Sequence, residues 1–220
     1  DQTDGGSNYL LATFNSNYIY VNAGTLAQYA SNAAADCVWE YKVRDPSAWY
    51  HIVINSDGVK NSANQRCWLN GRDITDEIGP DNDFPGWASY SSGLMSIGAR
   101  ENSGSPFNGY IADFYAIQGT YYAADTFGEY NEAGVWIPKV TENLSFGSLG
   151  WHLEFTNPND IGEDSSGNGN DWTANGFNTT SGNSDYDLMT DAPSQNFAVM
   201  NPQYSGASTS NGNLTTANTS

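Results

Sequence analysis

Apolar and polar positions alternate with a period of two along much of the chain. In the clearest case, Trp39, Tyr41 and Val43 fall on one side of an extended chain, with Glu40 and Lys42 on the other. This alternation is typical of a strand that buries one face. The same pattern predicts a short strand at Ile74 and longer ones at 9–14, 18–21, 49–54, 66–69, 94–98, 110–117, 150–155 and 172–177.

Turn-forming residues separate these runs. Asn70-Gly71 is the strongest signal, because a two-residue hairpin turn needs positive φ at both positions. No window of sufficient length has a helical period, and only 120–130 is compatible with a single helical turn. Short, evenly spaced strands joined by Gly, Asn and Pro turns are typical of an all-β sandwich, which is the fold class we predict.

The charge balance excludes some classes of function. The 220 residues include 25 acidic and 7 basic side chains, for a net charge of −18. A surface this acidic repels the phosphate backbone, so we expect no nucleic-acid partner. With 7 Trp, 14 Tyr and 9 Phe the chain is too aromatic for an acidic disordered tail. No apolar run reaches the ~18 residues of a membrane span, so we predict no membrane insertion.

Basic residues stop at Lys139, and the 81 residues that follow contain neither Lys nor Arg. This shift in composition predicts a boundary near residue 140. A cation-poor surface rich in Asn, Ser and Gly stays soluble in salty water and discourages self-association, which favours an extracellular or environmental protein.

Cys37 and Cys67 both lie in strand-like runs. One interpretation is a disulfide formed in an oxidising compartment. The other is that both are small apolar residues inside strands. The sequence leaves both open.

Three segments resemble the laminin-G-like, concanavalin A-type jelly-roll family. The first, 49–54 followed by 66–71, is similar to the two family strands that end in an Asn-Gly turn. The second, Leu94-Met-Ser-Ile-Gly98, is similar to its "l-x-I-G" strand. The third, 107–117, resembles the strand that closes the module. Ala112 stands where the family usually has Asp, so the resemblance implies no site that depends on that carboxylate.

A narrower resemblance comes from the order of several segments. Residues 44–53, 109–117 with 126–130, 134–139 and 164–170 occur in this order in large structural proteins of tailed bacteriophages, common among marine phages and cyanophages. The similarity extends over about 9–202. It implies a non-enzymatic structural or adhesion protein of the virion surface: a tail fibre, capsid fibre or capsid decoration. The alternative is a lectin-like carbohydrate-binding module of a secreted protein.

The resemblance also implies a domain organisation. Residues 1–130 form the sandwich, which we expect to lack its first strands. Residues 131–178 form a connector and the opening strands of a second β unit, and 179–220 an extended polar tail. We expect either a fragment or a protein completed by its neighbours, because an unclosed sandwich leaves strand edges that need pairing. The expected partners are other virion proteins, copies of this chain in a homo-oligomer and a cell-surface glycan.

The sequence favours a protein without catalytic activity. His51 and His152 both lie in predicted strands, where a hydrogen-bonded side chain on a sheet face is the simpler interpretation. There is no nucleophile elbow, P-loop or zinc-protease motif. A glycosidase needs two carboxylates across the sugar, and the predicted strand that contains Asp113 offers only that acid.

The stretch from Asp164 to Asp171 offers oxygen atoms at alternate positions, as a Ca²⁺-binding loop does. The EF-hand pattern fails because its twelfth position is Asn175 rather than Glu. The alternative is solvated turn chemistry, in which Asn, Asp and Gly favour positive φ and side-chain-to-backbone bonds. We expect no cofactor unless this loop binds Ca²⁺, for which the candidate ligands are Asp164, Ser166, Asn168, Asn170 and Asp171.

A long polar loop carries the candidate glycan site. It combines aromatic rings with side chains that offer hydrogen-bonding groups, the mixture that shallow sugar sites use. The same residues would also serve as packing anchors of the loop or as contacts with a neighbouring subunit. These residues are Asp81, Asn82, Asp83, Phe84, Trp87 and Tyr90.

Overall fold

A computed structural model provides the structure of the chain. It describes residues 8–14, 17–22, 25–30, 36–43, 45, 48–57, 59, 62–77, 95–99, 107, 109–181, 186–189, 209–210 and 215–216. These residues form fourteen strands and one 3₁₀ turn, Ala124–Thr126. The strands are β1 Asn8–Phe14, β2 Asn17–Asn22, β3 Thr25–Ala30, β4 Asp36–Lys42, β5 Ile52–Asn55, β6 Arg66–Leu69, β7 Arg72–Asp73, β8 Met95–Ile97, β9 Phe114–Ala116, β10 Gly128–Tyr130, β11 Trp136–Pro138, β12 Trp151–Leu153, β13 Thr209–Ser210 and β14 Thr215–Thr216.

The chain divides into two compact units, and neither is one continuous segment. The first unit comprises 1–111 and 121–136, and the second comprises 112–120 and 137–220. The predicted boundaries at 130 and 178 stay predictions, as do the second β unit and the polar tail.

The first unit contains a five-stranded antiparallel sheet in the order β4-β3-β2-β1-β8. Strand β1 pairs with β2 from Asn8 opposite Asn22 to Phe14 opposite Asn17. The register shifts between Leu10 and Ala12, as in a β-bulge.

A second sheet of the first unit joins β5, β6 and β7. Leu69 pairs with Arg72, which leaves Asn70 and Gly71 as a two-residue turn. Their φ angles are 49° and 76°, the left-handed region that such a turn requires. The Asn-Gly signal in the sequence therefore predicted this hairpin correctly.

Side chains from both sheets meet in one hydrophobic core. Trp39 on β4 is fully buried and packs with Cys67 and Leu69 on β6 and with Ile74. Residues on both sheets flank this group: Ile19, Val43, Tyr50, Ile52 and Ile54. The predicted all-β sandwich is confirmed by this arrangement.

In the second unit, β9 pairs with β12, and the alternation of the strands separates two faces. Trp151 and Leu153 lie on the buried face, each 1% exposed, and Ala116 is also buried. Phe114 packs against Trp151 with ring centroids 5.4 Å apart. Residues 114–116, which the sequence placed at the end of the first sandwich, are thus paired with the 150–155 segment.

Several expectations about individual elements were wrong. Residues 172–177 form no strand; instead Trp172 packs edge-on against Trp151, at 4.7 Å, and its backbone N–H donates to Gly162 O. The pattern also missed β3, β10 and β11. In the part of the chain that the structure describes, no helix has the length and apolarity needed to span a bilayer.

Candidate functional site

Two histidine-centred clusters and one polar loop are the candidate sites that the described residues offer. We call the first the Trp136 cluster: His51, Asn70, Tyr130 and Trp136, all in the first unit. Trp136 Nε1 donates a hydrogen bond to His51 Nδ1 at 3.1 Å. The two rings stack with centroids 5.8 Å apart, and Tyr130 packs edge-on against the indole at 4.9 Å.

The Asn70-Gly71 turn places this cluster. The His51 backbone N–H donates to Asn70 Oδ1 at 2.8 Å, and the Asn70 N–H donates to His51 O at 2.8 Å. Tyr130 Oη donates to Asn70 O at 2.9 Å. The turn is therefore bonded both to the segment before β5 and to the end of β10.

Two glycines allow the indole ring to lie close to the backbone. A Cβ atom at Gly128 would lie 2.6 Å from Trp136 Cε2, and one at Gly71 would also overlap the ring. Only residues without a side chain permit this approach. The ring is thus confined by the backbone of the turn and of β10 as well as by the hydrogen bond to His51.

The cluster combines a buried acceptor with an exposed ring. Burial lowers the pKa of His51 below its ordinary value of 6.5, which favours the neutral imidazole. Tyr130 is 55% exposed although both its hydroxyl and its ring edge are engaged. An exposed aromatic ring with a fixed orientation beside backbone and amide groups suits a ligand with an apolar face and hydroxyl groups.

The second histidine cluster lies on the opposite face of the β9–β12 pair from the buried residues. His152 stacks on its cross-strand partner Tyr115 with centroids 3.9 Å apart. His152 Nε2 lies 3.4 Å from Asp113 Oδ1, and Nδ1 lies 3.9 Å from Glu154 Oε1. Asp113 has φ of 50°, an uncommon conformation for a residue other than glycine.

Chemically, this cluster is a mostly covered imidazole flanked by half-exposed carboxylates. The side chain of His152 is 13% exposed, against 47% for Asp113 and 46% for Glu154. Burial raises the pKa of Tyr115 above its ordinary value, and the nearby carboxylates act in the same direction. The sequence identified Asp113 and His152 but not Glu154, although Glu154 lies only two residues beyond His152. The pairing of β9 with β12 brings Asp113 to the same imidazole.

The polar loop, which we call the Asp164 loop, comprises residues 164–171. Asp164 Oδ1 accepts the backbone N–H groups of His152 and Ser166, both at 2.9 Å. Its Oδ2 accepts Ser166 Oγ–H and the Asn170 N–H, also at 2.9 Å. Burial raises the pKa of Asp164, but these four bonds outweigh that effect, so its pKa lies below the ordinary value of 3.8.

The remaining candidate Ca²⁺ ligands of this loop also bond to the backbone. Asn168 and Asn170 each donate Nδ2–H to Gly150 O, at 2.8 and 2.9 Å. Asp171 Oδ1 accepts the Asp164 N–H. Among the described residues, no group of three or more His, Cys, Asp or Glu side chains has a metal-binding arrangement. Every polar side chain of the proposed ligand set thus bonds within the fold, and a Ca²⁺ site stays a prediction.

Two other predicted sites include side chains outside the described part of the chain. The candidate glycan residues at 81–84, 87 and 90 lie outside the described residues. Cys67 is buried in β6 of one sheet, and Cys37 belongs to β4 of the other. The side chain of Cys37 is outside the description, so the disulfide also stays a prediction.

The first unit defines a class of protein, the β-sandwich whose two antiparallel sheets share one apolar core. Residues 1–124 match the laminin G-like family described as the concanavalin A-like lectin/glucanases superfamily. This match covers more than half of the chain, so the protein belongs to that superfamily. The predicted concanavalin A-like fold and lectin-like module are confirmed. Searches of curated proteins and of solved structures gave no match.

Proposed function

We propose that this protein is a non-enzymatic carbohydrate-binding module that serves in adhesion at the surface of a virion. Its membership of the lectin/glucanase superfamily is the observation that carries the carbohydrate-binding part. The superfamily includes both lectins and glucanases, and laminin G-like domains are generally non-catalytic.

The Trp136 cluster supports a binding surface. Tyr130 presents an exposed ring whose orientation is fixed by Asn70 O and Trp136 before any ligand arrives. A preorganised side chain loses little conformational entropy when a ligand binds, so a shallow contact retains more of its affinity. The predicted loop residues around Trp87 form a second candidate contact on the same chain.

The environment of the carboxylates supports the absence of turnover. A glycosidase needs one acid whose pKa is raised by burial and a second carboxylate across the sugar. Asp113 and Glu154 are two carboxylates that flank one imidazole. They are about half exposed and both face the imidazole of His152, which lies between them.

Binding of the full chain to a glycan array tests the proposal. We expect a set of glycans to bind, with a loss of about tenfold in affinity for Tyr130→Ala, because one aromatic contact contributes on the order of 1 kcal/mol. Trp87→Ala examines the predicted loop in the same way. Tyr121→Ala is the matched control, since Tyr121 is also about half exposed and belongs to the same unit. Silence of the wild-type chain across the array would contradict carbohydrate binding.

An assay for release of reducing sugar from the bound polysaccharides tests the absence of catalysis. We expect no turnover by the wild-type chain. Turnover that Asp113→Asn abolishes would instead assign the protein to the glucanases.

The virion assignment rests on the sequence resemblance, in which several segments keep the order found in phage structural proteins. The strand edges that we expect an incomplete sandwich to leave unpaired support copies of the same chain and other virion proteins as partners. The second candidate is a lectin-like module of a secreted protein, which the lectin-type superfamily match supports. Mass spectrometry of purified particles and of the culture fluid of the native source separates the two. Recovery only as a free protein would exclude the virion.

A further inference from the structure

The hydrogen bond between Trp136 and His51 requires one protonation state of the imidazole. An indole N–H donates and cannot accept, so the ring nitrogen that it meets must carry no proton. That nitrogen is His51 Nδ1, at 3.1 Å. The bonded form of His51 is therefore the neutral tautomer with its proton on Nε2.

We propose that His51 is a positioning residue that orients Trp136, and through it Tyr130, for carbohydrate, and that protonation of His51 releases this orientation. The inference rests on the proposed function, because it concerns the same binding surface. It adds that binding weakens in acid.

The packing of Trp136 determines what protonation changes. His51⁺ has no free acceptor at Nδ1, so the indole N–H loses its partner while the ring stays confined by Gly71 and Gly128. A stack between imidazolium and indole is itself favourable. Because the backbone at the two glycines leaves the ring little room, we expect the indole to shift within this position and to change its contact with Tyr130, while the hairpin stays folded.

The surroundings of His51 favour the neutral form at pH 7. Burial is what lowers the pKa of His51, with no charged side chain contributing to the shift. On the neighbouring elements, Arg72 forms an ion pair with Glu77. The hydroxyl of Tyr130, which is titratable, donates to Asn70 O. The titratable and charged side chains on the elements next to His51, namely the residue before it, β6, β7, the 3₁₀ turn and β10, are Tyr50, Arg66, Arg72, Asp73, Asp125, Glu129 and Tyr130.

NMR of the full chain from pH 8 to pH 5 tests the proposal without any ligand. The Trp136 indole N–H resonance is expected to shift with the same midpoint as the His51 imidazole, below pH 6.5. His51→Gln offers an amide oxygen that accepts at every pH, so its indole resonance should show no step. His152→Gln removes the other histidine and should titrate like the wild type. An indole resonance that stays constant while His51 titrates would overturn the proposal.

Glycan affinity over the same pH range completes the test. We expect the wild type to lose about tenfold in affinity on acidification, the equivalent of one hydrogen bond, and His51→Gln to lose much less. Trp136→Phe keeps a ring but lacks the N–H, and it too should show no step. A step of the same size in either variant would contradict the role of His51. Absence of binding at every pH would refute the proposed function alone, since the indole titration is independent of it.

Discussion

The Trp136 cluster and the Asp164 loop both fix an irregular segment of chain, but they do so with opposite chemistry. The first uses a neutral imidazole as acceptor, an apolar ring and two glycines that admit it. The second uses a carboxylate that accepts four hydrogen bonds. Ring packing therefore contributes to the stability of the Trp136 cluster, whereas the Asp164 loop depends on the hydrogen bonds of one carboxylate.

This difference determines how much stability each region loses when one polar group is removed. Removing one donor or acceptor from the Trp136 cluster leaves its ring packing, so we expect partial losses there. Removing the Asp164 carboxylate leaves several partly buried N–H groups without an acceptor at once, which costs the desolvation energy of each. The predictions below test this contrast.

Asp164→Ala should have the largest effect. We expect the free energy of unfolding of the second unit to fall by about 4 kcal/mol, because the change removes three acceptor bonds to backbone N–H groups and one to a hydroxyl. Urea denaturation followed by NMR of second-unit amides measures it. Asp160→Ala is the control, since Asp160 is exposed. Among the described residues, its carboxylate accepts one hydrogen bond, from the backbone N–H of Gly162. Equal losses in the two variants would contradict the special role of Asp164.

Gly71→Ala should be the next most damaging change. Its new methyl group would overlap the Trp136 ring in addition to occupying a left-handed conformation, so we expect a loss of about 3 kcal/mol. Gly134→Ala is matched in φ, 74° against 76°, but would meet no atom within 4 Å, so its loss should be about 1 kcal/mol. Thermal or urea unfolding of both variants isolates the contact with the indole. Similar losses would show that the ring adapts.

The two regions should also loosen at different pH. The pKa of His51 is lowered in the folded chain, so its neutral form contributes stability that is present above about pH 6.5 and lost as pH falls through the folded pKa. The lowered pKa of Asp164 gives stability that is present above about pH 3.8 and lost below it. Amide and indole NMR signals along an acid titration should change first around Trp136. The opposite order would contradict the assignment of the shifts.

Tyr130→Phe should have the smallest effect on stability. It removes one bond from an exposed hydroxyl to Asn70 O and keeps the ring, so we expect about 0.5 kcal/mol. The ring should nevertheless become more mobile, which aromatic NMR relaxation detects. An unchanged order parameter would mean that Trp136 alone orients the ring.

The fold was predictable where side chains alternate. Trp39 and Val43, placed on one face by the pattern, both belong to the core of the first sandwich. The pattern failed for β3, whose sequence Thr-Leu-Ala-Gln-Tyr-Ala has little β-branched character. It failed at β10 and β11, which contain Gly128 and Pro138, residues that read as strand breakers.

The candidate sites were predictable only in part. The polar pattern of the Asp164 loop drew attention to residues that bond to one another and to the nearby backbone, because a local spacing encodes a local turn. The contacts of His51 with Trp136 and of Asp113 with His152 join positions 85 and 39 residues apart. No local period encodes such pairs, since they depend on which strands become neighbours. The Asn70-Gly71 turn was the one local signal that led to the Trp136 cluster.

The pairing of β9 with β12 affects how the superfamily module can be exchanged between genes. The stretch shared with the superfamily ends at residue 124 and carries β9, whereas β12 lies at Trp151–Leu153. A genetic cassette cut at the edge of that stretch would transfer Phe114 and Ala116 without the strand beside which they lie. Transfer of residues 1–124 alone would therefore leave the edge of β9 without the strand that pairs with it here.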